Sequence, residues 1–161
     1  MKQNKIKELY RLAYIDLMTG VFNRNSYEKY LQKLRKHPEL MQNISVLSVD
    51  LNGLKEINDE YGHYYGDEAI RHIVSSIKIT LNLNDRIFRI GGDEFICFIK
   101  NGDYSKVNHL REIISYNGRK CRYHLSASIG FVSYNGKKHK NIDMLLRECD
   151  SLMYADKKRH Y

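Results

Sequence analysis

Arg86-Ile87-Phe88-Arg89-Ile90-Gly91-Gly92-Asp93-Glu94-Phe95-Ile96-Cys97-Phe98-Ile99 joins two apolar runs through a pair of glycines. Paired glycines between such runs predict a tight hairpin, with Asp93 and Glu94 at its tip. Further upstream, Ile44-Ser45-Val46-Leu47-Ser48-Val49 is short, β-branched and bounded by polar residues, so it reads as a buried strand that delivers Asp50 at its carboxyl end. If the two strands are neighbours, the three carboxylates converge on one point. Hard oxygen ligands with room for water and phosphate suit Mg²⁺ (or Mn²⁺), and two such ions support an in-line displacement at phosphorus. Gly91 and Gly92, lacking side chains, let a nucleotide approach the backbone. Taken alone, an acidic hairpin tip is commonly just a solvated turn.

Outward from this centre, helices alternate with short strands. Residues 1–12 carry Ile6, Leu9 and Tyr10 at helical spacing among Lys and Glu, which predicts an amphipathic lead-in helix or linker stump before a domain over 13–161. Ser26 is the expected N-cap of a helix with Tyr27, Tyr30, Leu31 and Leu34 on one face, ended by Pro38. Ile70, Ile73, Val74, Ile77 and Leu81 predict a long helix after Gly66, starting near Asp67. Val107, Leu110 and Ile114 predict another, residues 123–132 a strand, and Ile142, Leu145, Leu146, Cys149, Leu152 and Met153 a closing helix. Asn117-Gly118 and Asn135-Gly136 are expected turns. The fold class is α/β (α+β) around one sheet.

The chain has 161 residues, 42% of them hydrophobic and 29% charged, which suits one globular domain. Its apolar runs are far shorter than the roughly 20 residues of a membrane span, and no apolar signal region follows the Lys-rich start, so a cytoplasmic location is expected. Cys97, Cys121 and Cys149 are odd in number and widely spaced, suggesting neither a disulfide framework nor a zinc knuckle. A net charge of +8 serves a polyphosphate ligand, a nucleic acid or a solvated surface equally well. No Gly-x-x-x-x-Gly-Lys-Ser/Thr, His-Glu-x-x-His or Gly-x-Ser-x-Gly pattern occurs.

Five ordered motifs resemble one family. Gly91-Gly92-Asp93-Glu94-Phe95 is the signature of the GGDEF family of diguanylate cyclases, and Asp16-Leu17-Met18-Thr19-Gly20-Val21-Phe22-Asn23-Arg24 is similar to its amino-terminal element. The run from Asp50 to Asp59, with Gly62-His63 and Gly66-Asp67, resembles its nucleotide-binding stretch. Ser128-Ile129-Gly130 and the set Asp150, Met153-Tyr154 and Lys157 resemble its late strand and closing helix, so the likeness covers about residues 10–158.

The resemblance implies a palm-like nucleotide-cyclase fold, a central, mainly antiparallel sheet flanked by helices, that condenses two GTP into cyclic di-GMP and two pyrophosphates. It implies Asp50, Asp93 and the Leu51 carbonyl as Mg²⁺ ligands, with Glu94 assisting and Asp93 as the base for the attacking 3′-hydroxyl. Lys55 and Lys157 would meet the β and γ phosphates, helped by backbone amides at Gly53 and Leu54. Asn58 and Asp67 would grip the guanine edge, where a carboxylate suits the N1 and N2 donors. His63 matches a position at the nucleotide site, and a loop-supporting role fits it equally. Catalysis would need a transient two-fold homodimer, each half holding one GTP, commonly governed by an upstream sensor or receiver domain. Neither nucleic acid nor membrane is an expected partner.

The sequence departs from the family in three places. Asn82 stands where an Arg-x-x-Asp product-inhibition element would begin, with Asp85 retained, which predicts weak feedback. Asn52 replaces the second acid of an Asp-x-Asp pair, and His160-Tyr161 replace a closing Gly-Arg. A non-catalytic receptor for GTP or cyclic di-GMP, a palm-domain cyclase making an adenine-containing or otherwise linked dinucleotide, and a basic nucleic-acid-binding domain are the alternative readings.

Overall fold

The computed structural model describes residues 2–160, so Tyr161 lies outside the described residues. Four antiparallel strands, β1 (Ile44–Leu51), β2 (Arg86–Arg89), β3 (Glu94–Lys100) and β4 (Ala127–Ser133), lie in the order β2-β3-β1-β4. All eight residues of the central strand β1 are buried, because helices cover both faces of the sheet. That two-sided cover is why its sequence reads as an unbroken apolar run rather than an alternation.

The pleat sends alternate β1 side chains into two cores. Leu47, Val49 and Leu51 meet Ile70, Ile73 and Ile77 of α4 (His63–Thr80) and Leu110 and Ile114 of α5 (Ser105–Gly118). On the opposite face, Ile44 and Val46 join Leu31 and Leu34 of α2 (Arg24–Lys36) and Ile142, Leu145 and Cys149 of α6 (Ile142–Lys157). Tyr27 and Tyr30 complete this second core by edge and stacked contacts with Phe88 and Phe98. A Cβ on Gly130 would lie 2.2 Å from the Cys149 carbonyl oxygen, so glycine here lets α6 press directly onto β4.

Several boundaries differ from those the sequence predicts. The N-cap of α2 is Asn23, whose side chain accepts the Ser26 amide, while the Ser26 hydroxyl donates to the Tyr14 carbonyl. α4 begins at His63, not near Asp67: Gly62, at φ +90°, ends α3 (Leu54–Tyr61) and starts α4 at once. Gly66 lies inside α4 because Asn58 of α3 packs against it; a Cβ there would come within 2.0 Å of the Asn58 Oδ1. The strand expected over 123–132 is ordered as β4 only from Ala127, which pairs with Leu51 at the end of β1; one further backbone bond, from the Asn52 amide to the Ser126 carbonyl, closes the pairing. Asn117-Gly118 closes α5 rather than making a free turn. Neither Gly91 nor Gly92 has positive φ, so the β2–β3 connection is not a two-residue mirror-image turn.

The lead-in segment forms α1 (Lys2–Tyr14), with Ile6, Leu9, Tyr10 and Leu12 more than half exposed. No helix among the described residues is long and apolar enough to cross a membrane.

Candidate active site

β1 and β3 are neighbours, and their register sets Asp50 directly opposite Glu94. The Leu51 amide donates to the Asp93 carbonyl at 3.0 Å, fixing the hairpin tip against the end of β1. Asp50 is only 4% exposed, and Lys157, from the last turn of α6, reaches its Oδ1 at 2.8 Å. Burial nevertheless pushes the Asp50 carboxyl above its ordinary range, Asp93 adds to the shift, and Lys157 only partly opposes it. Glu94 is raised by burial and then by Asp50 and Asp93, again against Lys157. The corner thus holds more negative charge than its lysine neutralises, and its donors are hard oxygens. That donor set fits Mg²⁺ or Mn²⁺ and is unsuited to softer ions.

The two glycines have different reasons to be there. A Cβ on Gly91 would meet the Glu94 Oε2 at 2.5 Å, so glycine lets the Glu94 side chain fold back over the turn. A Cβ on Gly92 would meet nothing within 4 Å, so the backbone there is approachable from outside.

The sequence does not reveal what holds the hairpin tip. Arg89, at the end of β2, donates to the Gly92 carbonyl at 2.7 and 3.2 Å and to both Asp16 oxygens at 3.1 and 3.3 Å. Asp16 also accepts the Thr19 amide and hydroxyl, and Arg24 reaches the Ile90 carbonyl. The amino-terminal motif is therefore a brace for the hairpin. An arginine inside an apolar run is the one local signal that could have pointed to it.

Asn52 has a similar hidden role. Its amide donates to the Ser126 hydroxyl and its Oδ1 accepts from Ser128, stitching the end of β1 to β4. An aspartate could accept but not donate, so asparagine suits this position.

The remaining predicted residues follow β1. Gly53, at φ +69°, caps α3, with Leu54 and exposed Lys55 in its first turn, and His63 is exposed at the start of α4. Asn58 packs against Gly66, the residue before Asp67, and Asp67 lies 3.9 Å from Arg71. Asp50, Asp93, Glu94 and Lys157 form one cluster, whereas Asn58 lies on α3 and Asp67 on α4. Clefts of about 490 and 370 Å³ flank residues 123–126, and of the predicted residues only Gly53 lines either. The carboxylate corner lies at one end of the two inner strands, β1 and β3.

The family model described as "Diguanylate cyclase, GGDEF domain" matches residues 13–161. The chain belongs to the GGDEF family of diguanylate cyclases. Diguanylate cyclase DgcS of Shewanella oneidensis is 26% identical over 155 residues, covering 94% of this chain and 52% of that protein. Diguanylate cyclase DgcM of Escherichia coli K12 is 28% identical over 162 residues, covering 97% and 39%. The GGDEF domain thus spans about half, or less, of the length of these relatives. Among solved structures, the coiled coil and GGDEF domain of DgcB from Caulobacter crescentus, in complex with c-di-GMP, superposes with a TM-score of 0.81 at 23% identity, covering 97% of this chain and 86% of that one. At that identity the likeness establishes the shared fold.

Proposed function

We propose that this GGDEF domain is a working diguanylate cyclase that condenses two GTP into cyclic di-GMP and two pyrophosphates. The observation that carries this reading is the register of Asp50 against Glu94 with Asp93 beside them, which gathers three carboxylates around one basic residue. Asp50, Asp93, Glu94 and the Leu51 carbonyl would hold Mg²⁺ or Mn²⁺, which when bound supplies charge neutralisation on the triphosphate and on the departing pyrophosphate.

The chain's own residues divide the remaining work. Asp93, at the open tip, accepts the proton of the attacking 3′-hydroxyl. Lys157, 2.8 Å from Asp50, would contact the phosphates as a compact cation. Lys55 and the amides of Gly53 and Leu54 receive the outer phosphates at the start of α3. Gly92 keeps the tip open to the nucleotide, while Asn58 and Asp67 select guanine. His63, exposed beside them, borders the base. Because each 3′-hydroxyl attacks the other nucleotide's α-phosphate, two domains must meet face to face, which makes the active form a transient two-fold homodimer in the cytoplasm. The greater length of the relatives supports a longer parent chain whose other domains control that encounter.

The test is chromatography of the products after incubating concentrated protein with GTP and Mg²⁺, beside Asp93→Asn and an ATP control. Cyclic di-GMP from the wild type alone is the expected result. Tight GTP binding and dimerisation without product would instead make the domain a nucleotide receptor.

A further inference from the structure

We propose that Glu68, His72 and Cys121 form a binding site for a divalent transition metal of the zinc class, separate from the carboxylate corner. One ligand atom from each lies within 4.8 Å of the other two, and His72 Nε2 is 3.9 Å from Glu68 Oε1. Glu68 and His72 are one turn apart on α4 and so share a face. The helix is a firm platform, because Ile70, Ile73, Val74 and Ile77 pin its other side in the core. Cys121 comes from the α5–β4 connection, where its amide donates to the Gly118 carbonyl.

The chemistry of the three groups selects the ion. A thiolate, an imidazole and a carboxylate suit zinc-like ions, whereas Mg²⁺ prefers an all-oxygen shell. A carboxylate and a thiolate together neutralise a divalent ion, so no net charge is left half-buried. In four-coordinate zinc, donors lie about 3.3–3.8 Å apart, given bonds of roughly 2.0–2.3 Å. The three donors must therefore close by about 1 Å, which side-chain rotation provides, since Glu68 and His72 are each about one-third exposed.

The surroundings supply what a metal site needs beyond its ligands. The Tyr123 hydroxyl donates to Glu68 Oε1 at 3.0 Å and orients that carboxylate as an outer partner does. The Cys121 thiol donates to the Asn117 carbonyl across a long 3.4 Å contact and also faces the Tyr123 hydroxyl; the Asn117 bond is given up at small cost when the metal displaces the proton. Three protein ligands leave a fourth position for water or an added ligand. A bound ion would tie α4, at the residue after Asp67, to the segment that lines both clefts.

Co²⁺ is the probe, because its near-ultraviolet thiolate-to-metal band reports cysteine ligation directly. The full chain is titrated with Co²⁺ under a phosphine reductant, with excess Mg²⁺ occupying the oxygen sites. The expected result is a band that saturates at a single ion per chain, is displaced by Zn²⁺ and is absent in Cys121→Ser. His72→Ala should weaken binding more than Tyr123→Phe, whose outer-partner role predicts a loss of about 10–100-fold. Far-ultraviolet circular dichroism verifies that each variant is folded. A wild type without a saturable band, a band that persists in Cys121→Ser, or an affinity unchanged by His72→Ala overturns the site.

Discussion

Asp16 and Asp50 are the same residue type, each held by one long basic side chain, yet their carboxyls shift in opposite directions. Around Asp16, burial raises the carboxyl, but the Thr19 hydroxyl and amide together with Arg89 outweigh it, and the net shift is downward. Around Asp50, burial dominates, Asp93 repels, and Lys157 cannot compensate, so the net shift is upward. A carboxylate whose charge is answered by donors of the fold is a structural brace. One that the fold leaves short of positive charge is prepared for a cation from outside.

The largest effect expected from this contrast is on turnover. Asp50→Asn should lower cyclic di-GMP formation by about 10³-fold, or roughly 4 kcal/mol in the barrier, while costing the fold no more than about 1 kcal/mol. It should also abolish the rise in melting temperature that Mg²⁺ gives the wild type. Large destabilisation without metal would erase the distinction between the two aspartates.

Asp16→Ala should do the reverse, costing about 2–3 kcal/mol of stability by leaving Arg89 without its carboxylate. Activity should fall only about tenfold, through a loosened hold on the Gly92 carbonyl, because Asp16 touches none of the other carboxylates. Denaturant unfolding and initial rates separate the two effects. Equal losses in both would mean that the brace is part of the chemistry.

The pH dependence separates the same pair more gently. A lowered carboxyl such as Asp16 contributes stability above the ordinary value of 3.8, and this is lost as pH falls through its folded value. Asp50 and Glu94, being raised, contribute below their ordinary values of 3.8 and 4.5, and that contribution is lost as pH rises through their folded values. In metal-free buffer, Asp50→Asn should therefore gain stability relative to the wild type as pH rises from about 4 toward neutrality. Parallel melting curves for the two proteins across that range would contradict the raised carboxyl.

Legibility in the sequence follows the range of the interactions. β1 and the α4 stripe were readable, since burial on both faces or on one leaves a local pattern in Ile44–Leu51 and in Ile70, Ile73, Val74 and Ile77. The start of α4 was not, because Gly66 reads as a helix breaker until Asn58 is seen filling the space of its missing side chain. Arg89, Asn52 and Cys121 were opaque for a related reason. Their partners, Asp16, Ser126 and Glu68, lie dozens of residues away, and no periodicity encodes such pairs.

The smallest effect concerns a third carboxylate, Asp85, which the fold satisfies as it does Asp16. Its Oδ2 accepts the Asn82 amide at 2.8 Å and its Oδ1 accepts the Lys100 amide at 3.1 Å, so both oxygens already serve the turn into β2. Restoring the family's arginine with Asn82→Arg adds a guanidinium but leaves Asp85 committed to the backbone. Cyclic di-GMP should consequently bind no more than about tenfold tighter than to the wild type, and calorimetric titration of both proteins measures the difference. Tight product binding by the wild type that Asp85→Asn removes would show that a satisfied carboxylate can still serve a ligand. The contrast drawn from Asp16 and Asp50 would then not extend to carboxylates held, like Asp85, by a backbone amide on each oxygen.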